Sequence, residues 1–213
     1  MKNCNQVQWH PSSEKVFASV GGDGLMKLWD HTLPKPNISS FRAHEVFFIW
    51  IQGEILSMDF NKYEQQCATS SVDKTIKIWD LRNLTVPVNI LQDHRYPVKK
   101  VRFSPHLAWL LGSGSYDMNV HFYDLRNPVE PLRFKHAQHT EFVSAIDFNL
   151  YDEKLVCSSS WDGRILIWEW DQPQPIITWS AKTESKCVYL FCFSFKPFWA
   201  PHKIAYMNYK IEI

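Results

Sequence analysis

Three histidines in loop-like contexts are each followed at a distance by an aspartate. His44 lies in Arg-Ala-His-Glu, His94 in Gln-Asp-His-Arg and His139 in Ala-Gln-His-Thr. His94 precedes Asp117 by 23 residues, and His139 precedes Asp162 by the same 23; His44 precedes Asp73 by 29. With a strand serine or threonine, each pair has the parts of a nucleophilic triad, in which a carboxylate orients an imidazole that takes the hydroxyl proton. An enzyme builds such a set once. Here it recurs. Asp23, Asp73, Asp117 and Asp162 are spaced 50, 44 and 45 residues apart, and six residues after them stand Trp29, Trp79, Tyr123 and Trp168. Recurrence in step with a repeat makes these histidines architectural, so no catalytic residue is assigned.

The elements that would hold them are strands. In Gln66 to Asp80, Cys67-Ala68-Thr69-Ser70-Ser71 is a small-residue strand that can lie close to its neighbours. Val72-Asp73-Lys74 is a turn, and Thr75 to Trp79 alternates, with Ile76 and Ile78 on one face and Thr75, Lys77 and Trp79 on the other. Met118 to Tyr123 and Gly163 to Trp168 follow the same template. Residues 1–30 read as the last three strands of one unit, with Val7, Trp9 and His10-Pro11 in its first strand and turn. Three further repeats, 36–80, 86–124 and 131–169, each open on an outer strand: Ile38–Phe41, Val88–Leu91 and Leu132–Phe134. Prolines 34, 36, 87, 128 and 131 punctuate the joins, and residues 176–180 add one more outer strand.

A period of ~40–45 residues with a histidine, an aspartate and a closing Trp-Asp resembles the WD40 repeat. The resemblance implies an all-β propeller of about four four-stranded blades over residues 1–180, followed by an atypical extension, 181–213, that carries no repeat motif. It also implies that each aspartate joins its histidine, a strand hydroxyl and the closing aromatic in one network: His44/Asp73/Trp79, His94/Asp117/Tyr123 and His139/Asp162/Trp168.

Composition narrows the function. Apolar residues are 45% of the 213, enough for a sizeable core, and Lys+Arg 23 against Asp+Glu 22 gives no global charge for nucleic acid or an anionic membrane. Five irregularly spaced cysteines read as reduced cytosolic thiols; Cys187 and Cys192 lack a histidine at metal-site spacing. No metal and no cofactor are expected. The N-terminus shows no signal-peptide pattern, and the most apolar stretches, Val46–Ile51 and Cys187–Phe195, fall short of the ~20 residues of a membrane helix. Phosphate-loop, GxSxG and HExxH motifs are absent from the sequence. Val46–Ile51 puts six apolar residues where a polar loop belongs. It reads as a short translated intron, or as a sticky recognition loop.

Finer detail resembles the receptors for the type 2 peroxisomal targeting signal, the peroxin 7 family, over about residues 3–170. The matching pieces are Val98–Pro105, Ser115-Tyr116-Asp117, His139-Thr140-Glu141-Phe142, Asp147-Phe148-Asn149-Leu150, Ser160-Trp161-Asp162-Gly163, Gly53–Ser57 and Asp80–Asn83. The resemblance implies a non-enzymatic cargo receptor moving between cytoplasm and peroxisome matrix. Its partners would be cargo proteins bearing the signal, an import co-receptor and the docking complex on the peroxisomal membrane, without nucleic acid and without insertion into the bilayer. The signal is an amphipathic helix with a basic residue near its start, laid in a groove. Glu54, Tyr96, Glu141 and Phe142, before the first strands, and Val72, Tyr116 and Trp161, before the hairpin aspartates, occupy the implied peptide-binding positions. Glu141, with Glu54 on a neighbouring blade, would face the basic residue. Members of that family have seven blades. One partial and three fuller repeats here imply a chain lacking the family's N-terminal half, folded as an open arc or a strained small ring. The competing reading is a generic WD40 scaffold, such as a histone-binding chromatin subunit.

Overall fold

Short segments rich in β-branched and aromatic residues, separated by turns of a few residues, favour antiparallel pairing between consecutive strands. The computed structural model, which describes residues 3–44 and 53–180, shows that outcome four times. The first sheet contains β1 (Cys4–Trp9), β2 (Val16–Gly21), β3 (Leu25–Asp30) and β4 (Asn37–Arg42). The second contains β5 (Ile55–Phe60), β6 (Gln66–Ser71), β7 (Ile76–Asp80) and β8 (Asn89–Leu91). The third contains β9 (Val98–Phe103), β10 (Leu110–Ser115), β11 (Val120–Asp124) and β12 (Leu132–His136). The fourth contains β13 (Val143–Phe148), β14 (Leu155–Ser160), β15 (Arg164–Glu169) and β16 (Pro175–Ser180). Each sheet is an antiparallel meander in chain order. The all-β propeller architecture expected from the repeat is what the chain adopts.

Two expectations change. Residues 4–30 are not the last three strands of a unit. They are the inner three of a complete sheet, whose outer strand β4 is supplied by the opening residues of the next repeat. Sequence repeat and sheet are therefore offset by one strand, and β16 completes the fourth sheet, so none of the four sheets is partial. The readings of Val46–Ile51 and of 181–213 lie outside the described residues.

The four hairpins between second and third strands share one geometry. The residue after each aspartate has positive φ: Gly24 at 71°, Lys74 at 74°, Met118 at 68° and Gly163 at 73°. At the start of every first strand the register shifts, between Cys4 and Gln6, Ile55 and Ser57, Val98 and Lys100, and Val143 and Ala145. Such a recurrent bulge bends the strand and re-aims the residues before it.

The core lies between sheets. Ala18, Val20, Met26 and Phe41 of the first sheet pack on Ile55, Met58, Phe60, Cys67 and Trp79 of the second. Ala68, Ile76, Ile78 and Leu91 then meet Val98, Val101, Phe103 and Tyr123. Leu110, Val120 and Phe122 meet Val143, Ile146, Phe148 and Val156. The last junction is tight, since a Cβ on Gly114 would lie 2.6 Å from Val143 Cγ1 and one on Gly112 2.9 Å from Ile146 Cδ1. A polar ladder crosses the same junctions along the first strands. Gln8 donates to Asp59 at 2.5 Å, and Arg102 lies 3.4 Å from Asp59 and 3.4 Å from Asp147. The buried Asp59 carboxyl is raised by desolvation, which Arg102 and the Phe103 amide (2.7 Å) partly offset.

Candidate functional site

The histidine networks form as the repeat implies. His44 Nδ1 lies 2.7 Å from Asp73 and its Nε2 2.9 Å from Thr69 Oγ1, to which Trp79 Nε1 donates at 2.9 Å. In the fourth sheet His139 meets Asp162 at 3.0 Å and Ser158 Oγ at 2.9 Å, and Trp168 Nε1 donates to Ser158 at 2.8 Å. In the third, His94 meets Asp117 at 2.9 Å and Ser113 at 2.7 Å, and Tyr123 also bonds Ser113. These are the contacts of a catalytic triad, but Thr69, Ser113 and Ser158 are buried and already held by the closing aromatic. A nucleophile needs a reachable oxygen, so the sets act as clips. Burial pushes Asp117 up, yet the hydrogen bonds from His94 and the Arg95 and Asn119 amides hold it far below the usual carboxylate range. Burial lowers His44 and His139, outweighing the pull of their aspartates.

Each clip fixes a hairpin against the entrance of its sheet. The residue before the aspartate donates its amide to the entering chain: Val72 to Glu54 O, Tyr116 to Pro97 O and Trp161 to Phe142 O, each at 3.0 Å. The seven implied binding residues therefore occupy two adjoining turns at one end of each sheet. The structure brings three together across the third and fourth sheets. Tyr116 and Phe142 ring centroids are 4.9 Å apart, Phe142 and Trp161 5.3 Å, and Tyr116 and Trp161 6.3 Å. Trp161 is 59% exposed, and Glu141, next to Phe142, is exposed too. Tyr96 lies exposed at the entrance of the third sheet.

Glu54 and Val72 belong to the second sheet and stand apart from this cluster. Glu54 is not on a blade neighbouring Glu141, because the whole third sheet lies between them in the stack. The repeat fixes loop position, but the distance between two loops depends on how many sheets separate them. The Glu54 carboxylate also accepts from Asn5 Nδ2 at 2.8 Å, across the first junction.

Sequence reasoning missed His121, whose ring stacks on His94 at 3.9 Å and whose Nδ1 lies 3.1 Å from Tyr123 Oη. With Asp117 these two histidines bring ligand-type atoms within 4.8 Å of one another. The rings are nearly parallel, 8° apart, so their lone pairs do not converge on one ion as a metal site requires. It also missed the ladder of Gln8, Asp59, Arg102 and Asp147. The signal was present, since each stands just before the aromatic that ends its first strand.

The family described as WD domain, G-beta repeat matches residues 2–30, 36–80, 85–124 and 131–169. The Peroxisomal targeting signal 2 receptor of Mus musculus is 38% identical, over 76% of this chain and 76% of its own length. That of Saccharomyces cerevisiae is 31% identical, over 78% of this chain and 53% of its length. Histone acetyltransferase type B subunit 2 of Debaryomyces hansenii is 26% identical, over 78% of this chain and 43% of its length. The chain thus spans about half the length of the yeast receptor it matches. It belongs to the WD40 repeat family and, within that family, is a relative of the peroxisomal targeting signal 2 receptors.

Proposed function

We propose that the chain recognises the N-terminal type 2 peroxisomal targeting signal of cargo proteins as part of their import into peroxisomes. The observation that carries this reading is the exposed cluster of Tyr116, Phe142 and Trp161 beside Glu141, on the rim set by the clips. An amphipathic helix presents an apolar face and a flanking cation. Three rings in mutually tilted contact give that face a desolvating platform, and Glu141 supplies a carboxylate for the basic residue. Glu54, Val72 and Tyr96 take the more distant parts of the peptide along the rim. On the same reading the chain moves between cytoplasm and peroxisome with an import co-receptor and the membrane docking complex. The names of the mouse and yeast relatives support it.

Titration calorimetry of the chain with a synthetic type 2 signal peptide tests the reading. Phe142→Ala and Glu141→Lys should each weaken binding about tenfold or more, in the range of a truncated interface anchor, with melting unchanged for the charge reversal. Tighter binding of a histone-tail peptide, or equal affinity of both variants and parent, would remove the rim from cargo recognition.

A further inference from the structure

The ring cluster carries opposite charges at its two ends. On the fourth sheet Phe142 is preceded by the exposed Glu141. Phe142 touches Tyr116, Tyr116 is followed by Asp117, and Asp117 accepts the Arg95 amide at 3.0 Å. Glu141 therefore flanks the rings on the fourth sheet, and the exposed Arg95 flanks them on the third. The Tyr116 and Trp161 rings are 6.3 Å apart, close to the ~5.4 Å pitch of an α-helix. The platform thus seats about one turn, and the charges lie where the turns on either side would pass.

Arg95 has a side chain that the fold does not use. Its counterpart in the fourth sheet is Thr140, which likewise donates its amide to the clip aspartate at 3.0 Å. The cation there, Arg164, is tied down: Nη2 donates to Thr140 Oγ1 at 3.0 Å and Nε lies 3.3 Å from Asp162. In the third sheet Asn119 stands in the place of Arg164 and donates to the Asp117 carbonyl at 2.8 Å. The Asp117 clip is complete without the Arg95 guanidinium, which has no hydrogen-bond or ion-pair partner among the described residues.

A bound helix has a polarity of its own. The unpaired amides at its start carry partial positive charge, and the unpaired carbonyls at its end partial negative charge. With a basic residue near the start, that end suits Glu141 and the other end suits Arg95. The reverse direction sets the basic residue against Arg95 and the carbonyl end against Glu141, so both charges oppose it. In the favoured direction, an acidic side chain beyond the apolar turn meets Arg95.

We propose, resting on the reading of this rim as the cargo site, that Arg95 sets the direction of the bound helix and selects an acidic residue in its second half. The helix then starts over the fourth sheet and ends over the third. Two synthetic peptides test this. Both have a lysine near the start and an apolar face; about seven residues later, two turns on, one carries glutamate and the other a second lysine. In titration calorimetry the parent should bind the glutamate peptide about fivefold more tightly, the range of an exposed ion pair. That preference should shrink as salt is raised. Arg95→Glu should reverse it and Arg95→Lys should keep it. If the reversal lowers the melting temperature, Arg95→Gln must still abolish the preference. A nitroxide on the first residue of the glutamate peptide should broaden the Gly163 amide resonance more than that of Asn119, and one on the last residue should do the opposite. Equal affinity of the parent for the two peptides, a preference that survives Arg95→Gln, or the inverse broadening pattern leaves cargo recognition standing and overturns the role of Arg95. Binding of neither peptide by the parent removes the cargo site, and this assignment with it.

Discussion

Asp117 shows how much one carboxylate can organise. It accepts from His94 Nδ1 at 2.9 Å and from the amides of Arg95 and Asn119 at 3.0 Å. Removing it strands those donors, and a buried unsatisfied donor costs about 1–3 kcal/mol. Asp117→Ala should therefore lower the denaturation midpoint by several degrees; unchanged melting would refute the clip. His121 adds a pH dependence. Burial, with the stacked His94 ring, pushes it down to about 3, so the native imidazole stays neutral where the unfolded one, near pKa ~6.5, takes a proton. The unfolded state then binds more protons between those values, and stability falls as pH drops below ~6.5, by roughly 2 kcal/mol from pH 7 to 5. Denaturant titrations at the two pH values should show the loss, and His121→Leu should shrink it. An equal loss in the variant would assign the acid sensitivity to His44 and His139, which burial lowers in the same sense. The aspartate clips were legible in sequence because they repeat. His121 was not, since its place depends on a ring from the loop that precedes another strand.

At the scale of the element, the hairpin is the unit the sequence announces most clearly. The same aspartate-plus-one position has φ near 70° in all four sheets, yet only Gly24 and Gly163 are suited to it. Lys74 and Met118 hold a conformation that side chains with a Cβ resist. Lys74→Gly and Met118→Gly should each stabilise by up to about 1 kcal/mol, offset in part by a freer unfolded chain. Gly24→Ala should destabilise by more, because its Cβ would also lie 2.8 Å from His44 O. Thermal melting of the three variants checks the order, and a stabilised Gly24→Ala would contradict it. The outer strands were legible too, as Ile38–Phe41 falls within Asn37–Arg42 and Leu132–Phe134 within Leu132–His136. Their ownership was less so. Hydrogen bonds assign β4 to the first sheet although it opens the second repeat, and no local pattern in a strand says which neighbour it will pair with.

The molecule as a whole is a stack, each sheet touching the next through one apolar junction and one rung of the polar ladder. In such a stack stability is nearly a sum of unit and neighbour contributions. Among the described residues, the second and third sheets have both faces covered, so their amides should exchange most slowly, with β6 and β10 slower than β2 and β14. Uniform exchange throughout would mean a single cooperative unit. The number of sheets could be read from the repeat, but the separation of Glu54 from Glu141 could not, because it is set by the order of stacking. The one-strand offset has a last effect, on cleavage. The outer strands β4, β8 and β12 are each bonded to one sheet and covalently continuous with the next, so a protease that cuts between Asp30 and Asn37 opens the chain without freeing either piece. The fragments remain registered from Leu25 opposite Arg42 to Trp29 opposite Asn37. A chain severed there behaves as a split protein whose halves recognise each other through a strand as well as through the apolar junction of the first two sheets.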